Sequence, residues 1–217
     1  MRDTQFLKDR INFLVQKKKV LFITTKNIDY IRNSQEINIL DKSAKLVKVI
    51  GYKDKSYVLR LIKIYTRLLF MSLKDFNLIF VGFAPQLILP LFYFKFKGKL
   101  VVEDFFISLY DTMINDRKKF NSNSLFAKLF LWLDKITIKR SDKIIVDTNA
   151  HGAYFSNDLG ADKKKINVLY LEADPKIYYP RCIPKDKQNK NKFVVLYFGS
   201  ILQIGRRRVG KECPRGV

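Results

Sequence analysis

The chain has 217 residues, 47% of them hydrophobic, which is enough to bury the core of one large domain and excludes an intrinsically disordered chain. Its 42 Lys and Arg against 20 Asp and Glu give a net charge of +22, which draws a protein toward nucleic acid or acidic lipid unless the lysines form only a solvated exterior. Cys182 and Cys213 form neither a C-x-x-C pair nor a disulfide framework, and nothing after Met1 reads as a secretory signal, so a reduced, cytoplasmic setting is expected.

The run Lys19-Val20-Leu21-Phe22-Ile23-Thr24-Thr25 suits a first buried parallel strand. Further runs lie at Leu46 to Ile50, Leu78 to Val81, Leu100 to Val102, Ile144 to Val146 and Val168 to Tyr170, with helix-length segments between most of them. Such alternation predicts βαβ units and a doubly wound, Rossmann-like α/β fold: a parallel sheet covered on both faces. After the first strand come Thr24-Thr25-Lys26-Asn27, a loop without glycine in which Lys26 is a candidate to meet a phosphate.

Tyr57 to Lys74 reads as an amphipathic helix that gathers Arg60, Lys63, Arg67 and Lys74 on one face beside Leu59, Ile62, Leu69, Phe70 and Leu73. Arg60, Lys63 and Arg67 are therefore candidates to face an anionic membrane, the competing reading being an ordinary cover helix with a wet basic face. Leu78 to Phe94 contains no charged residue, but Gly82, Pro85 and Pro90 interrupt it. A buried strand followed by a packed helix is expected there in place of a membrane span.

Behind the strand at Leu100, three carboxylates and three hydroxyl-bearing groups occur in Glu103-Asp104-Phe105-Phe106-Ile107-Ser108-Leu109-Tyr110-Asp111-Thr112, positioned to bond sugar hydroxyls or take a proton from an alcohol. Capping and loop hydrogen bonding would use the same residues. Ser122 to Arg140 reads as a long helix whose Leu125, Phe126, Leu129, Phe130, Trp132, Leu133 and Ile136 are expected in the core, since specific nucleic-acid readers interleave aromatic with basic groups differently. His151 is the only histidine, so a metal cluster or a Ser-His-Asp arrangement could draw on one imidazole at most, and a plain surface or capping histidine is the competing reading.

From Asp142 the order is a strand and turn (Asp142-Lys143-Ile144-Ile145-Val146-Asp147-Thr148), a helix ending near Gly160-Ala161-Asp162, a strand at Ile166 to Tyr170, Tyr178-Tyr179-Pro180, and a strand closing on Phe198-Gly199-Ser200. This succession resembles the inter-domain crossing of family 4-type glycosyltransferases of the two-domain GT-B fold. The stretch with Asp104, Phe106, Ser108, Tyr110, Asp111 and Thr112 is similar to a "D-x-F-x-S-x-Y-D-T" segment in a subgroup of them. The resemblance implies that residues 1–180 form an acceptor-side domain, with Asp104, Ser108 and Asp111 on the acceptor side and Thr148 and His151 at the cleft. Residues 181–202 would be a linker and the first strand of a donor domain. A nucleotide-sugar is then the implied donor, with no other cofactor, and a glycan or lipid-linked acceptor the implied partner.

From Gln203 onward the chain has four Arg to one Lys, against eight Arg to 29 Lys before it, together with three of the nine glycines. Residues 203–217 therefore read as an irregular basic tail or a frameshifted end, with the acceptor half left inactive on its own or paired with a separately encoded donor domain. A basic binding protein for membranes or nucleic acid is the alternative that needs no enzyme.

Overall fold

The computed structural model describes Ile11, residues 14–172 and Tyr179; the linker, third strand and tail expected over residues 181–217 lie outside the described residues. The chain divides into two compact units, Met1–Glu172 and Ala173–Val217, and the architecture below belongs to the first.

Six parallel strands form one sheet in the order β2-β1-β3-β4-β5-β6. They are β1 (Lys19–Ile23), β2 (Leu46–Ile50), β3 (Leu78–Val81), β4 (Leu100–Asp104), β5 (Lys143–Val146) and β6 (Ile166–Val168). The helices are α1 (Ile31–Asp41), α2 (Tyr57–Phe70), α3 (Leu89–Phe96), α4 (Leu125–Arg140) and α5 (Asn149–Asn157). The central strands β1 and β3 are almost continuously apolar because helices cover both of their faces, and each of their four paired positions, from Val20↔Leu78 to Ile23↔Val81, is buried. At the β2 edge only Ile50 is fully buried.

The fold is doubly wound. Val20, Phe22, Leu78 and Phe80 point to one face, where Ile39 and Leu40 of α1 cover them, and the rings of Phe22 and Phe80 stack 5.2 Å apart. Leu21, Ile23, Ile79 and Val81 point to the other, under Ile64 and Leu68 of α2 and Phe92 and Phe96 of α3. Further along that face, Ile138 of α4 and Phe155 of α5 cover Ile144 and Val146. Ser56 and Ser124 start α2 and α4 by accepting from the backbone N–H of Leu59 (3.4 Å) and Ala127 (3.2 Å), the usual N-cap exchange for otherwise orphaned donors.

Two sequence expectations change here. α4 does not bury its aromatic stripe: Leu125, Phe126, Leu129 and Trp132 are exposed, and the helix packs through Ala127, Asp134, Thr137 and Ile138. The small Ala127 admits close approach, while Asp134 has polar partners waiting inside, described below. In α2, Arg60 is buried and so does not face a membrane; its guanidinium donates to the carbonyls of Thr25 (3.3 Å) and Asp54. Lys63 remains outside, paired with Asp54 at 2.7 Å, and Arg67 is exposed.

Glu103 sits on β4 with one carboxyl oxygen accepting from Ser141 Oγ at 2.9 Å and the other buried without a partner. Burial pushes its pKa from 4.5 up to about 8, the Ser141 hydroxyl opposing and the Asp104 charge adding to the rise. The folded protein thus holds this proton over a range where the unfolded chain has released it, so the contribution is full below pH 4.5 and is lost as pH rises toward about 8. Glu103→Gln is expected to flatten the fall in urea-unfolding free energy across that window, by about 4 kcal/mol for this group. An unchanged slope in the variant would contradict the assignment.

Candidate functional site at the carboxyl edge of the sheet

The strand order reverses between β1 and β3, and in open α/β sheets ligands bind beyond the carboxyl ends of strands at such a point, where the loops diverge. Here the loops after β1, β3, β4 and β5 converge. Thr25 Oγ1 donates to the carbonyl of Phe83 at 2.7 Å and ties the first two together, with Tyr57 OH donating to Thr25 Oγ1 at 3.3 Å. Ala84, next along, is held in the left-handed region at φ 57°, a strained conformation for a residue with a Cβ.

Three half-buried rings line this edge. Tyr30 lies edge-on to Phe83 (5.8 Å) and to Phe106 (6.4 Å), and Phe83 and Phe106 are 6.1 Å apart. The Lys26 ammonium stands 5.4 Å from the Tyr30 ring and 5.0 Å from the Phe83 ring, within cation–π range of both. Burial raises the Tyr30 pKa, with the Asp104 charge as the next cause and Asp147 also contributing, so the phenol stays protonated and the β5 loop is near enough to be felt.

Below the rings lies a buried ion cluster. Arg32 of α1 donates through Nη2 to Asp104 Oδ1 (2.8 Å) and through Nε to Asp104 Oδ2 (3.2 Å), a bidentate pair, and through Nη1 to the Leu169 carbonyl. Its Nε also lies 3.5 Å from Glu36 Oε1, yet neither Glu36 oxygen accepts a hydrogen bond. Burial, then the Asp104 charge, pushes the Glu36 pKa well up, so Glu36 keeps its proton beside the Arg32–Asp104 pair. Asp104 thus belongs to the floor of the site: it is fully buried and both its oxygens face Arg32, not an acceptor.

The β4 loop is organised by a residue that the sequence did not single out. Asp134 of α4 accepts from Ser108 Oγ (2.7 Å), Gln86 Nε2 (3.0 Å) and the backbone N–H groups of Leu109 (3.1 Å) and Tyr110 (3.0 Å). Burial raises its pKa while these donors pull it down. Its one legible signal was being the sole acid in an otherwise apolar and basic helix. Ser108 is therefore a buried strut, and its Oγ also accepts from Asp111 N at 3.0 Å. Asp111 is half-buried, its Oδ1 accepting from Asn115 Nδ2 at 2.9 Å.

After β5, Thr148 caps α5 by accepting from His151 N at 3.2 Å, and His151 Nδ1 bonds Asp147 Oδ1 one turn away. Asp147 engages Nδ1 and so leaves Nε2 out of that bond, on a side chain that is 41% exposed. The imidazole stacks on Phe155, centroids 5.9 Å apart. One turn on, burial raises the Tyr154 pKa, with Ser108 opposing and the Asp111 and Asp134 charges adding to it, which brings α5 and the β4 loop into one site. Among the described residues no three His, Cys, Asp or Glu side chains are placed to hold a metal ion.

No family model matches the chain, and no curated protein matches it. Among solved structures it is similar to an extracellular ligand-binding receptor from Rhodopseudomonas palustris HaA2, at 11% identity and a TM-score of 0.28. The match covers 63% of this chain and 42% of that one, so the chain spans less than half the receptor's length.

The protonation assignment of the ion cluster predicts an order of costs. Arg32→Met strands Asp104 as a lone buried carboxylate and is expected to destabilise by about 3 to 5 kcal/mol, whereas Glu36→Gln replaces one neutral group by another and costs about 1 kcal/mol or less. Urea midpoints of the two variants measure this, and equal losses would refute a protonated Glu36.

Proposed function

We propose that the carboxyl edge of this sheet binds the acceptor in a glycosyl transfer, in a chain resembling the acceptor-side half of a family 4-type glycosyltransferase. The observation that carries the reading is the cluster of Tyr30, Phe83 and Phe106 rings at the carboxyl edge of the sheet, with the Asp147–His151 pair in the loop after β5 at the same edge and the Asp147 charge felt at Tyr30. Aromatic faces receive the apolar C–H face of a sugar ring, and a single polar tip then fixes its orientation.

In this reading the acceptor lies on the rings with one hydroxyl at His151 Nε2. That nitrogen takes the hydroxyl proton as the oxygen bonds to the donor's anomeric carbon and the nucleotide diphosphate departs with the electrons of the broken bond. Asp147 stabilises the imidazolium that results. Lys26 offers a positive charge to a phosphate on a lipid-linked acceptor. Thr148 holds the turn, Asp111 lines the α5 side, and Ser108 and Asp104 keep the loops in place. The nucleotide-sugar would be held chiefly by a donor domain, on this chain or on a separate one.

Peripheral attachment to the cytoplasmic face of a membrane accompanies the reading. No described helix is long and apolar enough to cross one, and α2 keeps Lys63 and Arg67 on its surface.

NMR titration with neutral oligosaccharides and lipid-linked saccharides tests the acceptor site. Resonances of Tyr30, Phe106, Thr148 and His151 are expected to move, and Phe106→Ala to weaken binding by about tenfold, the scale of one lost aromatic contact. Saccharides that leave all four residues unperturbed would defeat the proposal.

A further inference from the structure

Three helices stand side by side on one face of the sheet. Lys95 of α3 donates to the carbonyls of Leu69 (2.7 Å) and Met71 (3.1 Å) at the end of α2, and Arg140 of α4 donates to the carbonyl of Pro90 (2.7 Å) at the start of α3. Each helix buries one stripe against the sheet, and each carries a second apolar stripe on its outer side. On α2 these are Val58, Leu59, Ile62, Leu69 and Phe70; on α3, Leu91 and Phe94; on α4, Leu125, Leu129 and Trp132. Phe70 and Leu125 are 89% and 82% exposed, which isolated surface chance does not produce three times over on adjacent elements.

The exposed charges on these helices are all basic, although Lys63 is paired with Asp54 of the loop before α2. α2 and α3 contain no Asp or Glu, and the one acid of α4, Asp134, is buried. Lys63, Arg67, Lys128, Lys135 and Lys139 are exposed on the same layer. Along α4, Lys128, Lys135 and Lys139 border a shallow groove of about 330 Å³ whose floor is Leu131, Trp132 and Ile136.

We propose that the outer surface of the α2–α3–α4 layer docks on an anionic lipid bilayer, with α4 and its Trp132 entering the headgroup region. The inference deepens the peripheral attachment stated above and does not depend on the saccharide site. A bilayer meets both demands at once: acyl chains receive the leucines and aromatics, while acidic headgroups meet lysines whose stems lie along the apolar surface. A second copy of this chain fits badly, because two such faces would set cations against cations with no exposed carboxylate on these helices to offset them. Nucleic acid has no use for aliphatic stripes on three convex helices, since bases stack on aromatic platforms in grooves.

Trp132 is the only tryptophan, so its fluorescence reports this face alone. With the full chain at low salt, vesicles containing phosphatidylglycerol should shift its emission to the blue, and acyl chains brominated near the headgroup should quench it. Pure phosphatidylcholine vesicles should bind far more weakly, and salt should weaken the anionic case. Lys128→Gln with Lys135→Gln and Lys139→Gln, all on the exposed surface, is expected to lower partitioning by about a hundredfold, at about fivefold per lysine. Leu125→Ser with Leu129→Ser should lower it by about tenfold or more. Circular dichroism verifies that each variant is folded, and the wild-type emission needs no variant at all. An emission maximum indifferent to anionic vesicles, equal binding to neutral ones, or concentration-dependent dimerisation that buries Trp132 in place of lipid would each overturn the proposal.

Discussion

The bidentate pair between Arg32 and Asp104 is the constraint on which the carboxyl edge of the sheet depends. It links the start of α1 to the end of β4, across β1 and β3, and the same guanidinium reaches the carbonyl of Leu169 beyond β6. One side chain therefore ties α1 to the ends of β4 and β6 on the side of the sheet where the loops meet. Its burial also explains why α1 has a polar inner stripe of Arg32, Asn33 and Glu36 before turning apolar at Ile39 and Leu40. A buried guanidinium needs its donors filled, and the helix is held in the one register that fills them. Asn33 extends the arrangement: its Oδ1 lies 3.1 Å from Thr24 Oγ1, and its Nδ2 donates to the Asn27 carbonyl. The rings of Tyr30, Phe83 and Phe106 stand on this floor, with the Arg32 guanidinium 5.7 Å from the Phe106 ring.

The strands were legible because a parallel strand covered on both faces must be apolar throughout, and such short runs are conspicuous between helix-length segments. The uncharged stretch from Leu78 to Phe94 resolved as expected into a strand and a packed helix, with Pro85 opening a 3-10 turn between them. What local sequence could not convey was orientation. α4 contains more apolar positions than one face can hold, and hydrophobicity alone selects the wrong stripe. The choice falls to Asp134, whose four donors come from residues 24 to 48 positions away in the chain. In α2 the regular spacing of Arg60, Lys63 and Arg67 concealed a division of labour in which Arg60 turns in to hold two loop carbonyls.

The candidate site divides in the same way. Asp104, Ser108 and Asp111 share one loop segment, yet the first two are consumed by Arg32 and Asp134, and only Asp111 remains half-open. Thr148 and His151 were singled out by their place after a strand, and the structure adds the Asp147 bond to the imidazole. The aromatic platform was missed because Tyr30, Phe83 and Phe106 come from three separate loops, each carrying one ring that has no local meaning.

Lys95 takes the last carbonyls of α2 as its ligands, where backbone oxygens would otherwise need water. The end of α2 is thereby sealed by a neighbouring helix instead of by solvent, and the two cannot slide past one another without breaking that seal. The seal keys the two helices to one another, so the outer side chains of α2 and α3 keep a single relative arrangement on that face of the sheet.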